Sequence, residues 1–205
     1  AEAIHIQKIW RARNLLLRRY APLFFRTRSR KFASFGTLQF TGMEWRSARK
    51  PRAEWVRLAS EEFDAPQRVL LLIERFWRLR APSLIISVTG AAKALKVSDR
   101  LAKTFGQGLS NVLKSTEAWV ITSGTDVGVM ALVGSAMDEY SVSAPLIGIA
   151  PWNVVRGARD MQAAHDRGEA LSVYESGESS APDGRVALEP HHSYFLLVDQ
   201  PRGDE

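Results

Sequence analysis

The chain contains no cysteine. That excludes a disulfide scaffold and any zinc or iron–sulfur centre built on thiolates. No stretch approaches the ~20 consecutive apolar residues that a membrane-spanning helix needs. The longest apolar runs, such as "VLLLI" at 69–73, suit a buried core instead. Charges interrupt the apolar residues of the N-terminus throughout, so a signal-peptide layout is missing too. Histidine is scarce: His5 and His165 have no spaced partners, and only His191 and His192 are adjacent. Neighbours in a strand point to opposite faces, so that pair is not expected to share one ion. All four are read as surface histidines, with no metal site. No serine sits in a GxSxG elbow, and no Ser–His–Asp arrangement can be argued. The acidic cluster Glu61, Glu62 and Asp64 precedes a helix and suits its N-terminus.

What is present is ordinary for a globular protein: 205 residues, 45 % hydrophobic and 24 % charged, enough for one sizeable domain. The net charge of +6 is concentrated at the front. Up to Lys31 only Glu2 is acidic, against nine lysines and arginines between Lys8 and Lys31. Residues 4–25 read as a basic amphipathic helix stopped near Pro22, within an extension spanning 1–34. Such a helix suits a calmodulin-type or other acidic partner, an acidic membrane surface, or simple packing of its apolar stripe on the domain or on a neighbouring subunit. Its aromatics invite a nucleic-acid reading, but no recognised module supports one.

From residue 35 onward the pattern alternates between strands and helices. "FGTLQFTGMEW" (35–45) reads as an edge hairpin or extended segment, and "AEWVRLA" (53–59) as a short strand. "DAPQRVLLLIERFWRL" (64–79) is the clearest helix, with Pro66 suited to its first position. "SLIISV" (83–88), "AWVIT" (118–122) and "PLIGIA" (145–150) are apolar runs of strand length, each expected to be buried on both faces. A helix over 98–116, capped by Ser98, is expected to bury Leu101, Phe105, Gly108, Leu109 and Val112. A helix over 127–140 follows, with Asp126 as its cap. "PWNVV" (151–155) reads as a turn, and 156–187 as a long loop with a helical piece at 157–167. "SYFLLVD" (193–199) closes the pattern as a strand. This alternation predicts an α/β, Rossmann-like parallel sheet with helices on both faces, occupying 35–205.

In such folds ligands bind beyond the C-terminal ends of the strands. Two small-residue loops lie there. "VTGAAK" places Thr89, Gly90, Ala91 and Lys93 after one strand; "TSGTDVGVM" places Ser123, Gly124, Thr125, Gly128 and Met130 after the next. Small residues let a ligand approach the backbone, and a helix N-terminus offers N–H groups and partial positive charge. A diphosphate or nucleotide spanning both loops is the expected ligand, although neither loop fits a standard phosphate-binding motif.

The run from "LIISVTGAAK" through "WVITSGTDVGVMALVGSAMDEY", then "IGIAPWNVV" and "HHSYFLLVD", resembles the N-terminal cytoplasmic homology region of melastatin-type transient receptor potential (TRPM) cation channels. Order and spacing match over about 35–199. The resemblance implies a SLOG-type nucleotide-sensor fold on the cytoplasmic face of a membrane, part of a homotetrameric, calcium-permeable channel. It implies ADP-ribose or a related nucleotide as ligand and no resident cofactor. It adds Trp152 and Asn153, at a third strand end, to the loop residues above. The family usually has Gly-Gly where this chain has Gly90-Ala91, and again where it has Ser123-Gly124. It also continues into further elements past Asp199, so the domain is expected to be truncated there. Related enzymes that cleave nucleotide N-glycosidic bonds carry a catalytic Glu near the position of Asp126, and this chain has none in that loop. The expectation is therefore a binder and not an enzyme. A stand-alone nucleotide-processing enzyme and an assembly module with a vestigial pocket are the alternatives.

Overall fold

A computed structural model describes residues 34–42, 52–58, 66–90, 97–169, 171–177 and 184–200. The basic helix expected at 4–25, the acidic cluster at 61–64, Ala91 and Lys93 lie outside the described residues.

The strands are β1 (Phe35–Thr41), β2 (Arg52–Leu58), β3 (Leu84–Ser87), β4 (Ala118–Thr122), β5 (Leu146–Pro151), β6 (Ser172–Glu175) and β7 (Tyr194–Val198). The helices are α1 (Pro66–Arg75), α2 (Asp99–Ser115), α3 (Gly128–Glu139) and α4 (Ala158–Asp166), with a 3-10 turn at Trp152–Val154. One sheet runs in the order β3-β4-β5-β7-β2-β1-β6. Neighbours are parallel except β1 and β2, which pair antiparallel. The last strand in the sequence, β7, thus lies at the centre.

Alternation along each strand divides the core between the two faces. Val56, Leu58, Trp119, Ile147 and Leu196 pack under Leu72 and Ile73 of α1. Their neighbours in sequence point the other way. Ala118, Val120 and Leu146 meet Leu113 of α2 and Val133 of α3, while Trp55, Phe195 and Leu197 meet Ala158 and Met161 of α4. Helices therefore cover both faces, as the alternating pattern predicts. Ser98 caps α2 as expected, accepting the Leu101 N–H at 3.4 Å.

Four local expectations need correction. First, β3 is not buried on both faces. Among the described residues it is an edge strand paired only to β4, and Leu84 and Ile85 remain 41 % and 54 % exposed. An apolar run reports strand formation but not position in the sheet. Second, α2 buries Gly106, Ser110 and Leu113, whereas Leu101, Gly108 and Val112 are exposed. Small residues set that contact: a Cβ at Gly106 would lie 2.7 Å from Tyr140 and 3.3 Å from the Ala136 Cβ. Third, the stretch 156–187 is not one loop around a helix. It also contains β6, which adds to the free side of β1. Fourth, Asp126 does not cap α3; Val127 holds that position and makes no side-chain cap bond.

Candidate functional site

The parallel strands present their C-terminal ends along one rim of the sheet. After β3, Thr89 and Gly90 are exposed. After β4, Ser123 is half-buried and its Oγ lies 2.9 Å from Thr125 Oγ1. The two loops touch: a Cβ at Gly90 would sit 2.7 Å from Cγ1 of Val129, in the first turn of α3. Gly128 opens that helix at φ +58°, in the left-handed region that favours glycine. The sequence-predicted loops are therefore neighbours around one helix N-terminus.

After β5, Trp152 stacks on Trp55 with ring centroids 5.7 Å apart. The Arg57 guanidinium lies over the Trp152 ring at 4.6 Å. Arg57 is held there by Asp199 Oδ1 at 2.9 Å and Gln162 Oε1 at 3.0 Å. Asn153 is exposed and donates to Gln200 Oε1 at 3.0 Å.

Three predicted residues do not face solvent. Gly124, Thr125 and Met130 are buried. Gly124 takes φ +68° and lies so close to the sheet that a Cβ would meet Gly148 Cα at 2.7 Å. Over this loop runs a strap of residues 184–192. It pairs with the β4–α3 loop on one side: Asp126 N–H donates to Ala187 O at 2.8 Å, and Glu189 N–H donates to Gly124 O at 2.9 Å. On the other side it pairs with the β5–α4 connection through Val186 N–H to Val154 O at 2.8 Å and Arg156 N–H to Val186 O at 2.9 Å. From β6, the Tyr174 hydroxyl accepts the Leu188 N–H at 3.0 Å and donates to Arg156 O at 2.9 Å.

The strap ends in the feature that sequence reasoning missed. His191 and His192 are not surface residues of a strand. They precede β7 in a turn, and that turn lets both rings reach one carboxylate. Glu189, 2 % exposed, accepts from His191 Nδ1 at 2.6 Å, from the His191 backbone N–H at 3.0 Å, and from His192 Nδ1 at 2.7 Å. His192 is 1 % exposed, and its Nε2 lies 2.7 Å from Thr122 Oγ1. With Nδ1 donating to the carboxylate, Nε2 of the neutral ring accepts from the Thr122 hydroxyl, and Nε2 of the charged ring donates to it. The same oxygen accepts the Gly124 N–H at 2.8 Å. A chain of bonds thus runs from the buried carboxylate to the backbone of the candidate loop.

Burial alone would push Glu189 up, but the hydrogen bonds and charges of the two imidazoles hold it below the ordinary carboxylate value. Burial would likewise push His191 down, yet its bond to Glu189 and the nearby charges of Glu189, Asp138 and Asp126 raise it. Asp126 is raised by burial and by the Glu189 charge. The one sequence signal for this cluster was the spacing in "EPHHS", where a proline turn follows an acid and precedes two imidazoles. Among the described residues no group of acids, histidines or cysteines is arranged to hold a metal ion.

Comparison with known proteins agrees with this architecture. Residues 53–204 match the family described as SLOG in TRPM. A transient receptor potential cation channel subfamily M member-like 2 protein of Nematostella vectensis is 35 % identical over 172 residues, covering 81 % of this chain and 11 % of the relative. Subfamily M member 2 of Rattus norvegicus is 33 % identical over 176 residues, with the same coverage. The trpm channel of Drosophila melanogaster is 32 % identical over 179 residues, covering 84 % of this chain and 8 % of the relative. The chain therefore spans about a tenth of the length of these relatives. Among the described residues no helix is long and apolar enough to cross a membrane. With its central strands, both rim loops and the strap all inside the matched range, the chain belongs to the SLOG-type N-terminal domain family of melastatin-type transient receptor potential channels.

Proposed function

We propose that this domain is the cytoplasmic nucleotide-sensing and subunit-assembly module of a homotetrameric, calcium-permeable cation channel, and that its ligand is ADP-ribose or a related nucleotide. The contact of Gly90 with Val129 carries the reading. It brings two small-residue loops to one helix N-terminus, where backbone N–H groups and the helix dipole favour a phosphate. Thr89, Gly90, Ser123 and Gly128 border that point, and Trp152 and Asn153 end the next strand. The role is read as binding without turnover, because the β4–α3 loop carries Asp126 and no Glu ahead of the cap residue Val127. Titration calorimetry with ADP-ribose tests the proposal. Wild-type protein is expected to bind, and Thr89→Trp, at an exposed rim position, to weaken binding about tenfold, or ~1.4 kcal/mol, without shifting the melting temperature. No heat at millimolar ligand refutes the nucleotide reading. Hydrolysis of the N-glycosidic bond, seen as free base released from ADP-ribose or a nucleoside monophosphate on incubation, would instead establish the enzyme.

A second reading is an assembly module with a closed pocket. It is favoured by the burial of Gly124, Thr125 and Met130 together with the exposed edge strand carrying Leu84 and Ile85. Failure to bind nucleotide, combined with concentration-dependent self-association lost on Ile85→Lys, would support it.

A further inference from the structure

The strap crosses the candidate loop in a way that implies regulation. It buries Gly124 and Thr125, and it is tied on both flanks by backbone bonds. Its far end is fixed by a single buried carboxylate that holds two imidazoles at 2.6 Å and 2.7 Å. One imidazole, His192, is enclosed and wired to the loop through Thr122. The other, His191, has a side chain 13 % exposed and can exchange protons with solvent.

We infer that protonation of His191 tightens the strap over the β4–α3 loop, so that the clasp of Glu189, His191 and His192 is a proton-sensitive lock on the rim site. For what the lock regulates, the inference rests on the nucleotide reading above; the lock itself is a property of the strap. A protonated His191 adds a full charge to a bond that a neutral ring makes to the carboxylate only as a dipole, and in a buried site the added coulombic attraction is weakly screened. Burial opposes that charge, and among the described residues the charges of Glu189 on its own segment, Asp126 from the β4–α3 loop and Asp138 from α3 favour it. Arg156, from the β5–α4 connection, acts on Asp126 together with His192. Tyr174 of β6 contributes hydrogen bonds, not charge. His191 is raised relative to an ordinary imidazole, so its contribution is complete below pH 6.5 and is lost as pH rises through the raised value. Mild acid closes the strap and alkali loosens it.

Amide hydrogen exchange on the ligand-free protein tests this directly, because local opening of the strap sets the exchange of the amides beneath it. Peptides covering 122–130 and 184–192 are compared at pH 6 and pH 8 after correction for intrinsic rates. The expected result is several-fold slower exchange at pH 6 in both segments, with α1 unaffected. His191→Asn keeps a side-chain N–H but cannot titrate; it should fold normally and lose the difference between the two pH values. Wild-type protection independent of pH overturns the inference. So does a His191→Asn protein that keeps the wild-type response, since the proton would then reside elsewhere, at Asp126 for example. ADP-ribose titration at the same two pH values is the second arm: weaker binding at pH 6 in wild type, equalised in His191→Asn, supports the lock acting on the site. Absence of binding at both values refutes the nucleotide reading alone, and the exchange data still decide the lock.

Discussion

The carboxylate of Glu189 lies directly against Gly134, midway along α3, where any Cβ would overlap its oxygens. Glycine inside a helix costs ~1 kcal/mol relative to alanine, so Gly134→Ala would ordinarily stabilise α3. Here the added methyl must displace a buried anion from three donors, and breaking a buried charge pair costs about 3–5 kcal/mol. The variant is expected to be destabilised by about 2 kcal/mol or more in urea denaturation. A neutral or stabilising Gly134→Ala would place Glu189 elsewhere.

Gly124 and Gly148 form a second close contact, between the β4–α3 loop and the middle of β5. A Cβ on Gly148 would meet Gly124 Cα at 2.6 Å and Phe195 at 2.8 Å, and one on Gly124 would meet Gly148 Cα at 2.7 Å and Phe195 at 3.0 Å. Overpacking of this kind costs ~1–3 kcal/mol. Gly124→Ala adds the strain of a left-handed backbone, on the order of 1 kcal/mol. Gly124→Ala is therefore expected to melt lower than Gly148→Ala. Loss of ligand binding in a Gly124 variant would report unfolding, which is why Thr89 is the cleaner probe of the rim.

Stability should peak in mild acid. His191 is raised, so its stabilising contribution is present below pH 6.5 and disappears as pH climbs past the folded value. Glu189 is depressed, so its contribution is present above the ordinary 4.5 and disappears as pH falls through the lowered value. Asp126 is raised, so it too favours the folded state below its ordinary 3.8 and weakens it as pH rises. A melting-temperature profile should be highest between the carboxylate and imidazole ranges. Its alkaline slope should flatten in His191→Asn.

Arg57 should not tolerate lysine. Its planar fork spans Asp199 and Gln162 while its face covers Trp152. Lysine keeps the charge but neither the fork nor the stack. Arg57→Lys is expected to cost about 1 kcal/mol, and Trp152→Ala ~1–2 kcal/mol through loss of the Trp55 stack and the cation–π contact. Chemical denaturation of the two single variants and the double variant measures the coupling. Additive losses would show that Arg57 and Trp152 act separately.

The elements legible in the sequence were those whose signal is local. Ser98 caps α2, Pro66 starts α1, and the apolar runs at β4 and β5 are buried as their composition demands. Both rim loops were recognisable because strand–small residue–helix is a contiguous pattern. What could not be read depends on partners far along the chain. Leu84 and Ile85 look like core residues until the strand order puts β3 at an edge. The burial of Thr125 depends on Leu188, more than sixty residues later. Strand alternation does not reach His191 and His192, because β7 begins only at Tyr194. Gly134 carries no hint of the carboxylate it accommodates.

The central place of β7 has a consequence for how the molecule assembles. Without it the sheet falls into two pieces, β3-β4-β5 and β2-β1-β6, with no strand pairing between them among the described residues. Residues 194–198 supply both seams at once, pairing with β5 on one side and β2 on the other. During synthesis, which proceeds from the N-terminus, each half-sheet emerges with an unpaired edge that only a late segment can close. Such long-range pairing is slow to form. A nascent chain paused before residue 194 would expose two sticky edges, and the ribosome-bound domain should depend on chaperone protection until that one strand arrives.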